Sequence, residues 1–280
     1  MNRARALVLV LLTVLSGAVA SPAGAQVPEL HRPLDEVLDL YVRDGLVYYR
    51  ALRSERGRLD AYLGALERLP RQTVDAWPRQ EQIALWLNAY NALVLKTVLG
   101  RYPITGKSAE YPRNSIRQIS GAFDRAEHRV AGRTLTLDQI ELEMLAPFGD
   151  PRVTLALGRG SVGGGRLRSE AFTAGRLETQ LQQVVAELPT RRELLRIDAA
   201  AGEISVTPLF SWREALFAGA YADKADPRFA DRSPIERAIV ALIVPHLLPG
   251  ERTFVLENRF RVGFHEYDWR LNDLTGGGVR

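Results

Sequence analysis

Asn88 and Asn91 stand three residues apart in an otherwise apolar run, EQIALWLNAYNAL, and share one face of any helix that forms there. Amides in that setting must find partners, at a cost of about 1–3 kcal/mol for each group left unbonded. They either staple neighbouring backbone or line a polar pocket. Glu141, in IELEML, and Asp268, in YDWRLN, are the carboxylates whose surroundings suit general acid–base work, provided the fold brings them into one cleft. A buried Glu141 needs a cation beside it, and Arg168 is the candidate. Asn272 closes YDWRLN, where Asp268 and Asn272 alternate with Trp269 and Leu271; the pattern predicts an extended segment with the apolar pair turned inward. Arg159, Arg166 and Arg168 lie in a glycine-rich run, TLALGRGSVGGGRLRSEAF at 154–172. Guanidinium groups on such a loop can grip an acidic ligand, for example a peptide carboxylate or a glycan phosphate.

Other chemistry fits less well. Gly158, Gly160 and Gly163 satisfy G-x-G-x-x-G, but the next helical pattern begins only near Thr173, too far along for its N-terminus to meet a pyrophosphate. Gly165 is followed by Arg166 and Leu167, so the run is no phosphate-binding G-K-S/T loop, and no nucleotide cofactor is expected. Ser161, in R-G-S-V-G, lacks the first glycine of a nucleophile elbow. The four histidines, His31, His128, His246 and His265, have no metal-ligand spacing, and the chain has no cysteine. A thiol nucleophile, a disulfide framework and a thiolate metal site are therefore excluded; no metal is expected.

The chain has 280 residues, 37 Lys and Arg against 33 Asp and Glu, and a formal net charge of +4. It begins with Arg3 and Arg5, an apolar run from Ala6 to Leu15, and small-residue sites at Ala18-Val19-Ala20 and Ala23-Gly24-Ala25. That layout predicts a secretory signal peptide over 1–25, cut after Ala25 or, second, after Ala20. Removing Arg3 and Arg5 takes the net charge from +4 to +2. A near-neutral chain without a run of five basic residues argues against nucleic acid as partner, and the apolar run is shorter than a membrane span. The expectation is an exported, periplasmic or secreted protein with one globular domain over 26–280.

The elements that must position these residues follow from periodicity. Helices are expected over 34–43, 51–68, from Pro78 to Gly100, over 173–188, 210–217 and 235–247. The Pro78 helix is apolar all round and belongs in the core. A hairpin turns at Ala131-Gly132 and leads into a helix capped by Thr136; a second pairs 194–197 with 203–206. Strands are also expected at 152–157, 254–256 and 261–264. The fold class is α+β: helix-rich, with a buried central helix and a small antiparallel sheet.

DGLVYYRAL, EQIALWLNAYNAL, NSIRQI, AGRTLTLDQIELEML, DPRVTLAL and YDWRLN occur in that order between about residues 34 and 272. Together they resemble the family called domain of unknown function 547. The resemblance implies a shared fold and polar site but no settled activity. It also implies H-F-A-L-x-C-x-x-x-S-C-P-P-L-R after D-P-R, where this chain has Thr154 for the histidine, Arg159 and Gly164 for the cysteines, and Gly165-Arg166 for the proline pair. A further histidine position is Leu142. If those side chains form a reactive cluster in relatives, this chain has lost it. Two functions stay open: a non-catalytic cell-envelope module binding an acidic ligand or a protein partner, and an envelope hydrolase or transferase using Glu141 and Asp268.

Overall fold

The computed structural model describes residues 26–275. The expected signal segment, 1–25, lies outside the described residues. Helix α1 (Gln26–Tyr41) leads through a two-residue hairpin, β1 (Val42–Arg43) and β2 (Leu46–Val47), into α2 (Tyr49–Ser54), α3 (Gly57–Arg68), α4 (Arg71–Asp75) and α5 (Arg79–Leu99). Asp44 and Gly45 both take positive φ, as the tight β1–β2 turn requires. In α5 every residue from Ile83 to Leu95 is buried, with α1, α2, α3 and the turn over 137–145 packed against the helix. This is the buried central helix that its all-round apolar sequence predicts.

Strands β3 (His128–Val130) and β4 (Arg133–Leu135) turn at Ala131-Gly132, both at positive φ. Helix α6 (Leu137–Gln139) follows at once, closed by a capping box in which Thr136 and Gln139 satisfy each other's backbone amides. It continues as a π turn over Ile140–Leu145, a widening that places Glu141 on the inner side. Then come α7 (Arg152–Ala156), α8 (Leu177–Ala186), β5 (Leu195–Asp198), β6 (Glu203–Val206), α9 (Leu209–Trp212), α10 (Glu214–Tyr221), α11 (Pro234–Ile243), α12 (Pro249–Leu256) and β7 (Arg261–Phe264). Pairing of β5 with β6 is antiparallel and of β6 with β7 parallel.

The α+β class holds, with small sheets of two or three strands rather than one. Several local expectations change. The strand expected over 152–157 is instead a helix, Arg152–Ala156: the run is buried on all sides, so its pattern carries no period, and the Asp150 carboxylate takes the Arg152 amide at its start. Residues 254–256 end α12 instead of forming a strand. The helix expected over 210–217 breaks at Arg213, which becomes the hinge between α9 and α10. No helix among the described residues is long and apolar enough to cross a membrane.

Candidate functional site

Asn88 and Asn91 are buried on α5, and each clamps the glycine-rich segment by both ends of its amide. Asn88 accepts from the Phe172 amide at 2.9 Å and donates to the Phe172 carbonyl at 2.8 Å. Asn91 accepts from the Gly158 amide at 2.9 Å and donates to the Ala156 carbonyl at 3.3 Å. Both act as staples. Asn88→Ala removes one staple and strands two buried backbone groups, so thermal unfolding of the variant will show a loss of about 1–3 kcal/mol.

The staples hold a loop whose glycines answer to packing. A Cβ on Gly165 would sit 1.9 Å from the Leu155 carbonyl oxygen, and one on Gly164 2.5 Å from that of Gly158. The amides of Val162, Gly163 and Gly165 bond to the carbonyls of Arg270, Asp268 and Leu157. Donors that would cradle a phosphate are thus spent inside the chain. The G-x-G-x-x-G spacing arises from close backbone approach.

The loop delivers Arg159, at positive φ, into the interior. Arg159 and Glu141 are each only 4 % exposed and meet at 2.6 Å. Arg159 also donates to the Thr154 and Leu157 carbonyls. Burial opposes the Arg159 charge, but Glu141 outweighs it and keeps the guanidinium protonated. Arg213, at the α9–α10 break, donates to the same Glu141 oxygen, Oε1, at 3.1 Å from the more exposed side. The partner of Glu141 is therefore not Arg168, as the sequence suggests, but Arg159 with Arg213. Arg168 lies on another face, bonded to Glu170 at 2.8 Å and Gln183 at 2.6 Å, beside Arg166, which reaches Glu187 at 2.9 Å. Arg166 and Arg168 line one groove, Arg159 does not, and the two groove arginines are already neutralised by the chain's own acids. An acidic ligand there would compete with Glu187 and Glu170.

Around the Glu141–Arg159 pair gather groups that the sequence reading passed over. Tyr267 meets Ser161 through their hydroxyls at 2.8 Å, and burial pushes the Tyr267 phenol up to about 12. The Tyr90 hydroxyl is buried without a hydrogen-bond partner. Asp138, one turn before Glu141, has its carboxyl raised, first by burial, then by Glu141 and Asp124. Over this floor lies an aromatic shelf. Tyr267 is 4.3 Å from Trp269 and 4.9 Å from Trp212, ring centre to ring centre, and Arg117 covers Trp269 at 5.2 Å. Trp212 is 40 % exposed. No sequence period marks this shelf, because its rings come from α9 and the C-terminal segment, and the Arg117 that covers it from the turns around 117. Only the exposed Trp212 next to Arg213 would have hinted at it.

Asp268 is engaged by Arg270, while it and Glu141 both act on the Tyr267 phenol. Burial raises its carboxyl, but hydrogen bonds and charge from Arg270 outweigh that and hold it below the usual carboxylate range. Its oxygens bond Arg270, those of Glu141 bond Arg159 and Arg213, and among the described residues no hydrogen bond joins the two carboxylates. Asn272 is a buried tie: it accepts from the Tyr49 hydroxyl at 2.7 Å and donates to the Gly45 carbonyl at 2.9 Å, fixing the C-terminal segment to the β1–β2 turn. Among the described residues no group of three or more His, Cys, Asp or Glu side chains could hold a metal ion.

Arg159 fills the place where the family resemblance implies the first cysteine, and a Cβ on Gly164, the second, would meet the Tyr267 hydroxyl at 3.1 Å. Leu142, the second histidine position, points outward and is exposed. No curated protein and no solved structure matches the chain. Of the motifs, DGLVYYRAL and YDWRLN fall outside the stretch that a family model does match, whereas both asparagines, Glu141 and the three loop arginines fall within it. Residues 74–187 carry the domain described as "Protein of unknown function, DUF547".

Proposed function

We propose that this protein is an exported, non-catalytic binding module of the cell envelope that holds its ligand on the Trp212–Tyr267–Trp269 shelf. The carrying observation is that the buried pair beneath the shelf is closed: Glu141 Oε1 accepts from both Arg159 and Arg213. With Oε1 taken by two guanidinium groups, Glu141 serves to fix Arg213 and the neighbouring Trp212. Partly exposed aromatic rings beside polar groups present an apolar face with a wet edge. Such a surface suits a glycan, whose ring faces stack on indole while its hydroxyls bond Asp138 and Arg213 at the rim.

Titrating the protein with soluble peptidoglycan fragments while following tryptophan fluorescence tests this reading. A saturable change is expected, lost in Trp212→Ala and kept in Arg166→Ala/Arg168→Ala. Retention in Trp212→Ala with loss in the arginine double variant would move the site to the groove of Arg166 and Arg168.

A second reading has its own support in Asp138, whose carboxyl is raised by burial and by the adjacent Glu141 and Asp124, as that of a general acid is. It makes the protein a glycan hydrolase of the envelope. Mass analysis of the fragments after prolonged incubation separates the two: intact fragments fit binding, shortened fragments that persist with wild type and vanish with Asp138→Asn fit hydrolysis.

A further inference from the structure

A groove of about 480 Å³ opens between α3, α5 and the β3–β4 hairpin. Its lining is mostly polar, with Leu63 and Leu93 as its apolar members. At its edge lies His128, only 7 % exposed, with neither ring nitrogen bonded to any described residue. A neutral imidazole has one donor and one acceptor, and leaving both unused when buried costs free energy that a partner would recover. Burial, and then the Lys96 charge, lower this ring to about 4, so it is neutral at ordinary pH.

The charges that line the groove are not equally engaged. Asp60 is held by Arg56 at 2.8 Å, and Glu67 reaches Arg129 at 3.5 Å in a solvent-exposed pair. Lys96 and Glu127 are in no ion pair among the described residues, with each other or with any other group. An ammonium on α5 and a carboxylate on the hairpin therefore face one cavity, unneutralised and more than a salt-bridge distance apart, beside an unbonded imidazole. The α3 wall is lowered where it meets them. Gly64 sits in the middle of that helix, where glycine costs about 1 kcal/mol relative to alanine. A Cβ there would approach only the mobile end of the Arg68 side chain, at 3.2 Å. Packing does not demand this glycine, and it leaves the groove open along α3.

We propose that this groove binds a small zwitterion of the amino-acid class. Its carboxylate pairs with Lys96, its ammonium with Glu127, its carbon chain lies on Leu63 and Leu93, and His128 bonds the polar group that passes over it. The site is separate from the aromatic shelf and does not depend on it.

The probes are L-leucine, L-leucinamide, which lacks the carboxylate, and N-acetyl-L-leucine, which lacks the ammonium. The readout is the imidazole proton resonance of His128 in the full chain, assigned with His128→Gln. Leucine is expected to shift that resonance saturably, and each derivative to bind about tenfold more weakly or worse, the effect of one lost charged contact. Lys96→Met is expected to remove discrimination against leucinamide, and Glu127→Gln discrimination against the N-acetyl compound. Gly64→Leu fills the groove while favouring the helix, so that variant should be at least as heat-stable as wild type yet blind to leucine. A resonance indifferent to leucine, equal shifts with all three compounds, or leucine binding that survives Gly64→Leu would each overturn the proposal.

Discussion

Arg159→Met will destabilise the fold by about 3 kcal/mol or more, the usual cost of stripping one partner from a buried ion pair. The substitution keeps the length and apolar volume of the side chain but leaves Glu141, 4 % exposed, with Arg213 alone. It also frees the Thr154 and Leu157 carbonyls that Arg159 now bonds. Arg213→Met, whose side chain is 23 % exposed, should cost distinctly less because water can replace it. Combining Arg159→Met with Glu141→Leu should recover most of the loss, since a well-packed apolar pair often matches a buried ionic one. Urea midpoints for the four proteins at pH 7 decide the matter. Should the single Arg159 variant prove as stable as wild type, the pair is not buried as described. The series also bears on function: in the double variant, which lacks Glu141, Arg213 loses its anchor, and fluorescence of Trp212 should change even in the absence of any ligand.

Much of this arrangement was legible in the sequence, and what escaped it did so for physical reasons. The buried α5, the Thr136 cap and the Ala131-Gly132 turn follow from local rules: all-round apolarity, a side chain that satisfies an amide three residues on, and residues that tolerate positive φ. Those rules act within a few positions. The asparagines were visible as buried amides for the same reason, though their partners, Phe172 and Gly158, lie 84 and 67 positions away and could not be named. Glu141 was visible as a carboxylate needing a cation, but the choice of arginine was set by tertiary geometry. Arg168 follows a leucine that turns inward and itself stays near the surface, whereas Arg159 is driven inward by its own positive φ and the staple at Gly158. Helix α7 was missed because a run buried on every side has no period to read. The aromatic shelf has no local signature at all.

Lowering the pH from 7 to 4 will remove about 3 kcal/mol of stability for each of two buried imidazoles, His31 and His128. His31 on α1 is 1 % exposed; its Nδ1 meets the Tyr62 hydroxyl at 3.0 Å, and Nε2 has no partner. Burial lowers both rings from 6.5 to about 4, with Lys96 adding to the effect at His128. The sign is fixed by which state holds the proton. In the unfolded chain each ring protonates as pH falls through 6.5, while the folded ring resists until about 4. Proton uptake thus favours the unfolded state across that window, and the stability present above 6.5 is lost within it. Among the carboxylates, Asp268, Glu170 and Glu178 are held below their ordinary values and protonate further down, whereas Asp138, raised by burial and by Glu141, takes up its proton earlier in the folded chain and offsets part of the loss. Urea unfolding at half-unit steps from pH 7.5 to 4 should show the midpoint falling mainly between about 6.5 and 4. His31→Gln cannot acquire a charge, so it should flatten the slope by about half while lowering stability at pH 7 through poorer packing. A midpoint that stays level down to pH 4.5 in wild type, or a slope unchanged by His31→Gln, would show that these rings are already bonded to water and free to protonate in the folded chain.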